Sequence, residues 1–281
     1  VAPAPSAAPA VARAHGPLSP EVRAHFEAIR SDPAPRAIIR SSHYYRTNEL
    51  SHWVYRERVT DLGGVMSGVG SDQLYLLAGW ARPEILVPLD FDGEITATHR
   101  VVAAVFLAKA TPEEFVAAFD EERVDALIAL VREHYASSPD VDSLARTARN
   151  AGRHLFESMN MIRRRYNERR IPTYITDAAQ YEFVRGLVAE GRVFPVRGDL
   201  TADIAMLDLA LAARRAKWQP PAKAKRGWDR IMTEQITQAD EGCDLAAMTA
   251  QFEQAQATLY SGRLGRLRHV ARIALQRWRG N

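Results

Sequence analysis

The residues Gly64-Val65-Met66-Ser67-Gly68-Val69-Gly70-Ser71-Asp72-Gln73 are followed along the chain by the apolar run Ile85-Leu86-Val87-Pro88-Leu89-Asp90. This order predicts a strand over 65–67, a glycine turn, a helix from about 72 to 81 and a second strand over 85–89. Pro83 lies between the helix and the second strand, where a helix-breaking residue is expected. The two runs therefore predict one βαβ unit with parallel strands.

The turn after the first strand has the composition of a ligand-binding loop. Gly68 and Gly70 can adopt positive φ at little cost and allow a ligand to approach the backbone closely. Asp90 follows Gly68 by about 20 residues, which is the spacing of a nucleotide-binding βαβ unit. The helix N-terminus would offer free N–H groups, and the Asp90 carboxylate would accept hydrogen bonds from a ribose. An ordinary strand-to-helix turn is the alternative interpretation.

Helical spacing of apolar residues dominates the rest of the first 216 residues. Ser19 and Pro20 predict a helix start, and Asn48 predicts the cap of a helix that runs to about Thr60. From about 95 to 190 the pattern predicts a large helical insertion. A third strand over 192–196 leads to Asp199. The sequence thus predicts an α/β fold with a Rossmann-like sheet, a large helical insertion and a helical C-terminus.

Composition divides the chain into three parts. Residues 1–18 are rich in alanine and proline, which predicts a flexible segment. Residues 19–216 form the predicted Rossmann-like domain, with its insertion at about 95–190. Residues 217–281 are predicted to be helical after a proline-containing linker. An alanine- and proline-rich start without methionine fits an exported protein after signal-peptide removal as well as a cytoplasmic one.

The overall composition favours a globular protein without a strong electrostatic preference. The 281 residues are 47% apolar and 25% charged, and the net charge is +3. These values are ordinary for a soluble domain, and the small charge does not favour nucleic acid as a partner. No apolar run approaches the roughly 18 residues that a transmembrane helix needs, so no transmembrane segment is predicted.

The three predicted strands, the G-x-G turn and the acidic strand ends resemble the first half of a class I S-adenosylmethionine-dependent methyltransferase. The resemblance implies a methyltransferase-type sheet, S-adenosylmethionine as cofactor, and an unidentified small molecule as methyl acceptor. It implies that Gly68 and Gly70 lie near the methionine part of the cofactor. It also implies that Asp90 binds the ribose and that Asp199 contacts the adenine amino group. An N-cap of the next helix is the alternative role for Asp199.

Within that superfamily, the chain is similar to an uncharacterised bacterial branch over roughly residues 40–211. Members of this branch carry an Asn-Glu pair before the first strand, a G-V-G-x-x-Q turn and a long helical insertion after the second strand. The matching residues are Asn48-Glu49 and 68–73. The resemblance therefore adds Asn48 and Gln73 to the expected cofactor-binding residues. Met66 and Asp72 stand where the usual methyltransferase loop has an acidic residue and a third glycine.

A polar and aromatic segment precedes the first strand and contains the candidate catalytic groups. In this fold such a loop can cover the cofactor cleft, so Glu49 or His52 is predicted to act as a catalytic base. A capped helix with surface aromatic residues is the alternative interpretation. His43 and His52 have no third ligand at a suitable spacing, so no metal site is predicted.

The segment from Arg263 to Arg279 contains six arginines and no acidic residue. Its apolar residues follow a helical stripe, which predicts a basic amphipathic helix that packs on the domain. Contact with an anionic membrane surface or with a nucleic-acid backbone is the alternative.

Three functional hypotheses follow from the sequence. The first is an S-adenosylmethionine-binding, methyltransferase-like protein, and Gly68, Gly70, Asp90 and Asp199 favour it. The second is a catalytically inactive Rossmann-like binding or interaction protein. It is favoured because no fourth apolar strand, where methyl-transfer residues usually lie, can be located in the sequence. The third is a nucleic-acid or membrane-surface binder that uses the C-terminal arginine helix.

Overall fold

A small parallel sheet lies within the part of the chain that the computed structural model describes, which comprises residues 14–35, 38, 42–47, 51–199 and 204–216. Its strands are β1 (Val65–Val69), β2 (Ile85–Asp90) and β3 (Val196–Arg197), in the order β1-β2-β3. The central strand β2 is buried along its whole length. The protein is thus a mixed α/β protein, and the predicted βαβ unit is present.

Helices make up most of the described residues. Their bounds are α1 (Pro20–Glu27), α2 (Arg56–Val59), α3 (Gln73–Ala81), α4 (Gly93–Ala108), α5 (Pro112–Ala117), α6 (Val124–His134), α7 (Val141–Glu168), α8 (Ala178–Ala189) and α9 (Ile204–Arg215). Helices α4 to α8 occupy the region between β2 and β3 where the sequence predicts a helical insertion. None of the helices in the described ranges is long and apolar enough to cross a membrane.

Strand β2 contributes to two apolar cores because alternate residues of a strand point to opposite faces of the sheet. Ile85, Val87 and Leu89 pack with Phe26 of α1 and with the buried face of α9. On the other face, Leu86 belongs to the larger core formed with α3 to α8. Helices therefore cover both faces of the sheet, as a buried parallel sheet requires.

Pro88 interrupts the pairing between β2 and β3. The Leu86 N–H donates to the Arg192 carbonyl and the Leu86 carbonyl accepts from the Phe194 N–H, both at 2.9 Å, so these groups of Leu86 face β3. In a parallel ladder the residue two positions further on faces the same neighbour, and Pro88 has no N–H to donate. The strand predicted over 192–196 is therefore reduced to an isolated bridge and the short β3.

Helix starts agree well with the caps in the sequence, while the segment before β1 differs. The Ser19 hydroxyl accepts the Val22 N–H at 3.2 Å at the start of α1. The helix predicted to reach Thr60 is instead a 3₁₀ turn over His52–Tyr55 followed by the short α2. Asn48 and Glu49 lie outside the described residues.

The structure describes part of the predicted N-terminal segment but none of the predicted C-terminal region. Ala14, His15 and Gly16 donate their backbone N–H groups to the Glu190 carboxylate at 2.7, 3.0 and 3.0 Å. Arg192 donates to the Gly16 carbonyl at 2.7 Å, so packing begins within the segment predicted to be flexible. The predicted C-terminal helical region, 217–281, lies outside the described residues, and so does its arginine helix.

Candidate functional site

The two glycines predicted to form the ligand loop have different roles in the structure. Gly70 lies in the turn itself with φ of 95°, a conformation that glycine adopts most readily. Gly68 lies within β1, and a Cβ atom there would be 2.5 Å from Cδ2 of Leu74 in α3. Gly68 therefore permits close packing of the helix on the strand, whereas Gly70 shapes the turn.

Asp90 lies at the carboxyl end of β2 and connects directly to that turn. Its side chain accepts the Asp92 N–H at 2.9 Å and is also hydrogen-bonded by the backbone of Gly70. Burial raises the pKa of Asp90, and the two backbone hydrogen bonds oppose this shift. The structure thus brings Gly70 and Asp90 together at one edge of the sheet.

Asp199 lies next to Asp90 at the same edge, beyond the end of β3. The Gly198 N–H donates to the Asp90 carbonyl at 2.9 Å, which carries the β2–β3 pairing to this point. The Asp199 N–H donates to the buried Asp32 carboxylate at 2.9 Å, and the Ala205 N–H of α9 donates to the same carboxylate at 3.3 Å. Asp32 therefore fixes the backbone around Asp199, a role that the sequence did not predict.

Gln73 and His52 are held together by hydrogen bonds beside the turn. Gln73 donates to the Val69 carbonyl at 2.6 Å, while its Oε1 lies 2.7 Å from the Thr47 hydroxyl and 3.2 Å from His52 Nε2. Nδ1 of His52 lies 3.3 Å from the Tyr166 hydroxyl. Both ring nitrogens of the buried His52 are therefore engaged within the protein.

Asp72 is a buried carboxyl group at the N-terminus of α3. It accepts hydrogen bonds from the hydroxyl groups of Ser158 and Ser71, and the Thr47 N–H lies 3.5 Å away. Burial is the largest influence on this group and raises its pKa, which the hydrogen bonds oppose. An acidic residue thus stands at the N-terminus of the helix after the glycine turn, which is the end of a helix where many nucleotide-binding proteins bind a phosphate.

His99 of α4 is hydrogen-bonded to the glycine turn. Its Nε2 donates to the Gly70 carbonyl at 2.9 Å, so its Nδ1 accepts the hydrogen bond from the Tyr75 hydroxyl, also at 2.9 Å. Burial lowers the pKa of His99 to about 4, which keeps the ring neutral near pH 7. This role could not be predicted from the sequence, because His99 lies inside an apolar helical pattern.

Helix α7 forms a wall of the site through residues spaced four apart. Asn150 donates to Glu94 at 3.4 Å, and the His154 ring stacks on Tyr45 with ring centres 5.4 Å apart. Further along the helix, Ser158 contacts Asp72 and Tyr166 contacts His52. Residues four apart are only about 40° apart around a helix, so these side chains follow a gradual spiral along α7. Helix α7 thereby contacts residues 42–47, the glycine turn and the start of α4.

His43 and Asp92 form a further pair at this edge of the sheet. Nδ1 of His43 lies 2.7 Å from Oδ2 of Asp92, and the other Asp92 oxygen accepts the Glu94 N–H at the start of α4. From the sequence, His43 is considered only as a possible metal ligand, and its contact with Asp92 is not predicted. Across the described ranges, no group of three or more His, Cys, Asp or Glu side chains is arranged to hold a metal ion.

The fold and this edge define a mixed α/β protein whose small parallel sheet carries a glycine turn and acidic strand ends on one side. The chain belongs to the family described as "Domain of unknown function (DUF7790)", which it matches over residues 44–219. The match includes the glycine turn, the helical insertion and α9. A comparison with curated proteins gave no match.

Proposed function

We propose that the protein binds S-adenosylmethionine at the carboxyl edge of a Rossmann-like, methyltransferase-type sheet. The observation that carries this proposal is the contact between the Gly70 turn and the Asp90 side chain. The strand order of this sheet, β1-β2-β3, is also that of one half of a Rossmann-type sheet. The resemblance implies that Asp90 would bind the ribose and that Asp199 would contact the adenine.

Asp72 favours a ligand without phosphate over a dinucleotide. A dinucleotide places its pyrophosphate at the N-terminus of the helix that follows the glycine turn. In this protein Asp72 is the residue at that helix N-terminus, and its buried carboxyl group is held by Ser158 and Ser71. S-adenosylmethionine has no phosphate, and its sulfonium and amino groups are cationic. An acidic residue at the start of this helix therefore disfavours a pyrophosphate there, whereas a ligand without phosphate meets no such conflict.

When bound, the cofactor supplies an electrophilic methyl group. The described residues would hold it by the glycine turn and by the carboxylates at the ends of β2 and β3. An acceptor small molecule would approach from the side bounded by α7 and by residues 42–47. The positioning of donor and acceptor would carry much of the rate enhancement in such a displacement.

A catalytically inactive binding protein is the second candidate. Within the described ranges the sheet has three strands, and β1 pairs only with β2. In a methyltransferase-type sheet the next strand would lie beside β1 and would carry residues near the transferred methyl group. A site that binds the cofactor without transferring the methyl group is compatible with this smaller sheet.

Calorimetric titration tests both candidates. S-adenosylmethionine, S-adenosylhomocysteine and NAD⁺ would be titrated into the wild type, Asp90→Asn and the matched surface control Asp125→Asn. We expect the two adenosyl ligands to bind and NAD⁺ to give no binding heat. Asp90→Asn should weaken binding about tenfold or more, because a hydrogen bond to a charged group contributes ~1.5–3 kcal/mol.

The failure of both adenosyl ligands to bind folded wild-type protein would overturn the proposal. Equal affinity of Asp90→Asn and Asp125→Asn would remove Asp90 from the site. Binding without release of S-adenosylhomocysteine from labelled cofactor, in the presence of a panel of small hydroxyl and amine compounds, would favour the inactive candidate.

A further inference from the structure

His43 and Asp92 form a hydrogen-bonded pair that lies beside Asp90. The His43 side chain is 36% exposed, while that of Asp92 is only 7% exposed. The Asp92 carboxylate accepts the Glu94 N–H at 2.9 Å. The backbone N–H of Asp92 donates to the Asp90 carboxylate, also at 2.9 Å. An exposed imidazole is thus attached to a buried carboxylate of fixed orientation.

The geometry determines which nitrogen of His43 carries the proton in the neutral ring. An ionised carboxylate can only accept hydrogen bonds, so Nδ1 of His43 must donate to Asp92 at 2.7 Å. The neutral ring therefore has its lone pair on Nε2. No described residue makes a hydrogen bond to Nε2, so this lone pair is available for a proton.

The two other histidines beside the turn are arranged differently. His52 has hydrogen-bond partners at both ring nitrogens, Gln73 and Tyr166. His99 likewise contacts Gly70 and Tyr75 and is buried. Neither ring has a free nitrogen for a substrate, so among these three histidines the structure leaves only His43 as a proton acceptor. The sequence expectation named Glu49 or His52 as the base, and Glu49 lies outside the described residues.

We propose that His43 is the general base of the site and that Asp92 is the residue that positions it. The inference rests on the proposed methyl transfer. The O–H or N–H proton of the acceptor molecule moves to Nε2 of His43, and the acceptor lone pair forms a bond to the methyl carbon. The carbon–sulfur bond breaks, and its electron pair stays on the sulfur of the departing thioether. Asp92 stabilises the imidazolium that results.

Nitrogen-15 NMR of the histidine side chains tests this assignment without an identified acceptor. Long-range ¹H–¹⁵N correlation spectra distinguish a protonated from an unprotonated ring nitrogen, and His43→Gln identifies the His43 signals. In the wild type, at a pH where the ring is neutral, we expect Nδ1 to be protonated and Nε2 to be unprotonated. In Asp92→Ala we expect the proton to shift substantially to Nε2, whereas Asp125→Ala should leave the spectrum unchanged.

If Asp92→Ala fails to fold, Asp92→Asn provides a second variant. Its side-chain oxygen can still accept the Glu94 N–H. A neutral wild-type ring that is protonated at Nε2 would overturn the inference, and so would a tautomer that does not depend on Asp92. The NMR result concerns only the pair. Loss of the proposed function is recognised separately, by the absence of binding heat with S-adenosylmethionine. Binding of S-adenosylmethionine together with the Nδ1-protonated ring supports both proposals.

Discussion

The hydroxyl group of Ser158, in the middle of α7, donates a hydrogen bond to the buried carboxyl group of Asp72 at the start of α3. The two residues are 86 positions apart in the sequence. This contact fastens the helical insertion directly to the glycine turn. The insertion is therefore part of the candidate site, and changes in α7 should affect both stability and ligand binding.

Ser158→Ala should destabilise the protein because it removes a donor from a buried acidic group. Loss of one partner of a buried polar group costs roughly 1–3 kcal/mol. We expect a decrease of that size in the free energy of unfolding, measured by urea denaturation at neutral pH.

Thr147→Val provides the matched control on the same helix. Thr147 is fully buried, and its hydroxyl group has no hydrogen-bond partner among the described residues. Removing an unsatisfied hydroxyl group should leave the stability unchanged or raise it by about 1 kcal/mol. Equal destabilisation by both substitutions would mean that packing, rather than the Ser158 hydrogen bond, determines the effect.

His99 should make stability depend on pH in the acidic range. Its pKa falls from an ordinary value of 6.5 to about 4 in the folded protein. Between these values the unfolded chain binds a proton that the folded chain does not, so this contribution is complete above pH 6.5 and is lost as the pH falls towards 4. The loss should be on the order of 3 kcal/mol, and denaturation curves from pH 7 to pH 4 measure it.

The difference between the wild type and His99→Gln isolates this effect. Burial raises the pKa values of Asp72 and Asp90, so these groups favour the folded state as the pH falls, opposite to His99. Both proteins contain the two carboxyl groups, whereas only the wild type contains the titrating ring. Parallel stability curves for the two proteins would contradict the assigned burial of His99.

Gly198→Ala should be destabilising because the new Cβ has no space. It would lie 2.7 Å from Cδ1 of Leu89 and 2.8 Å from Cβ of Ala205, and the latter atom cannot move without α9. Overpacking of this kind costs about 1–3 kcal/mol. At Gly93 the nearest atom, on Arg197, is 3.8 Å away, so Gly93→Ala should be neutral. Thermal denaturation of the two variants should therefore separate them, and similar melting temperatures would contradict the close approach at Gly198.

Glu190→Ala should destabilise the protein strongly. The side chains of Glu190 and Arg192 are each 8% exposed and lie 2.9 Å apart. Removing one partner of a buried ion pair costs about 3–5 kcal/mol, because the remaining charge stays buried. Glu190→Gln keeps an acceptor for the N–H groups of residues 14–16 and should be milder. Chemical denaturation measures the difference, and equal stability of both variants with the wild type would show that the pair is dispensable.

Local sequence signals predicted the elements that local interactions determine. The glycines at 68 and 70, the proline at 83 and the apolar run at 85–89 correctly located β1, α3 and β2. The predicted helix start at Ser19 and Pro20 likewise begins α1, where the Ser19 hydroxyl accepts the Val22 N–H at 3.2 Å. These features depend on residues close together in the chain, which is why a single sequence reveals them.

The contacts that complete the candidate site could not be predicted in this way. Ser158 and Asp32 contact residues far along the chain, and neither lies in a recognisable motif. The missing hydrogen bond between β2 and β3 at Pro88 could not be predicted from the pattern of apolar residues. Hydrophobicity indicates burial but not whether a residue has an N–H group to donate. The pairing of His43 with Asp92 depends on how residues 42–47 fold back, which spacing alone does not determine.

The contacts of α7 with the candidate site connect that site to a tryptophan near the end of the helix. Residues 150–166 extend about 24 Å along one rigid helix. Beyond its far end, the Arg169 guanidinium lies 3.9 Å from the centre of the Trp53 ring, and that ring also packs edge-on against Tyr166 at 5.5 Å. A ligand that displaces the helix near Asp72 would change the electric field on this indole. Because the chain has five tryptophans, a fluorescence change on addition of a ligand would be assigned to Trp53 by its loss in Trp53→Phe.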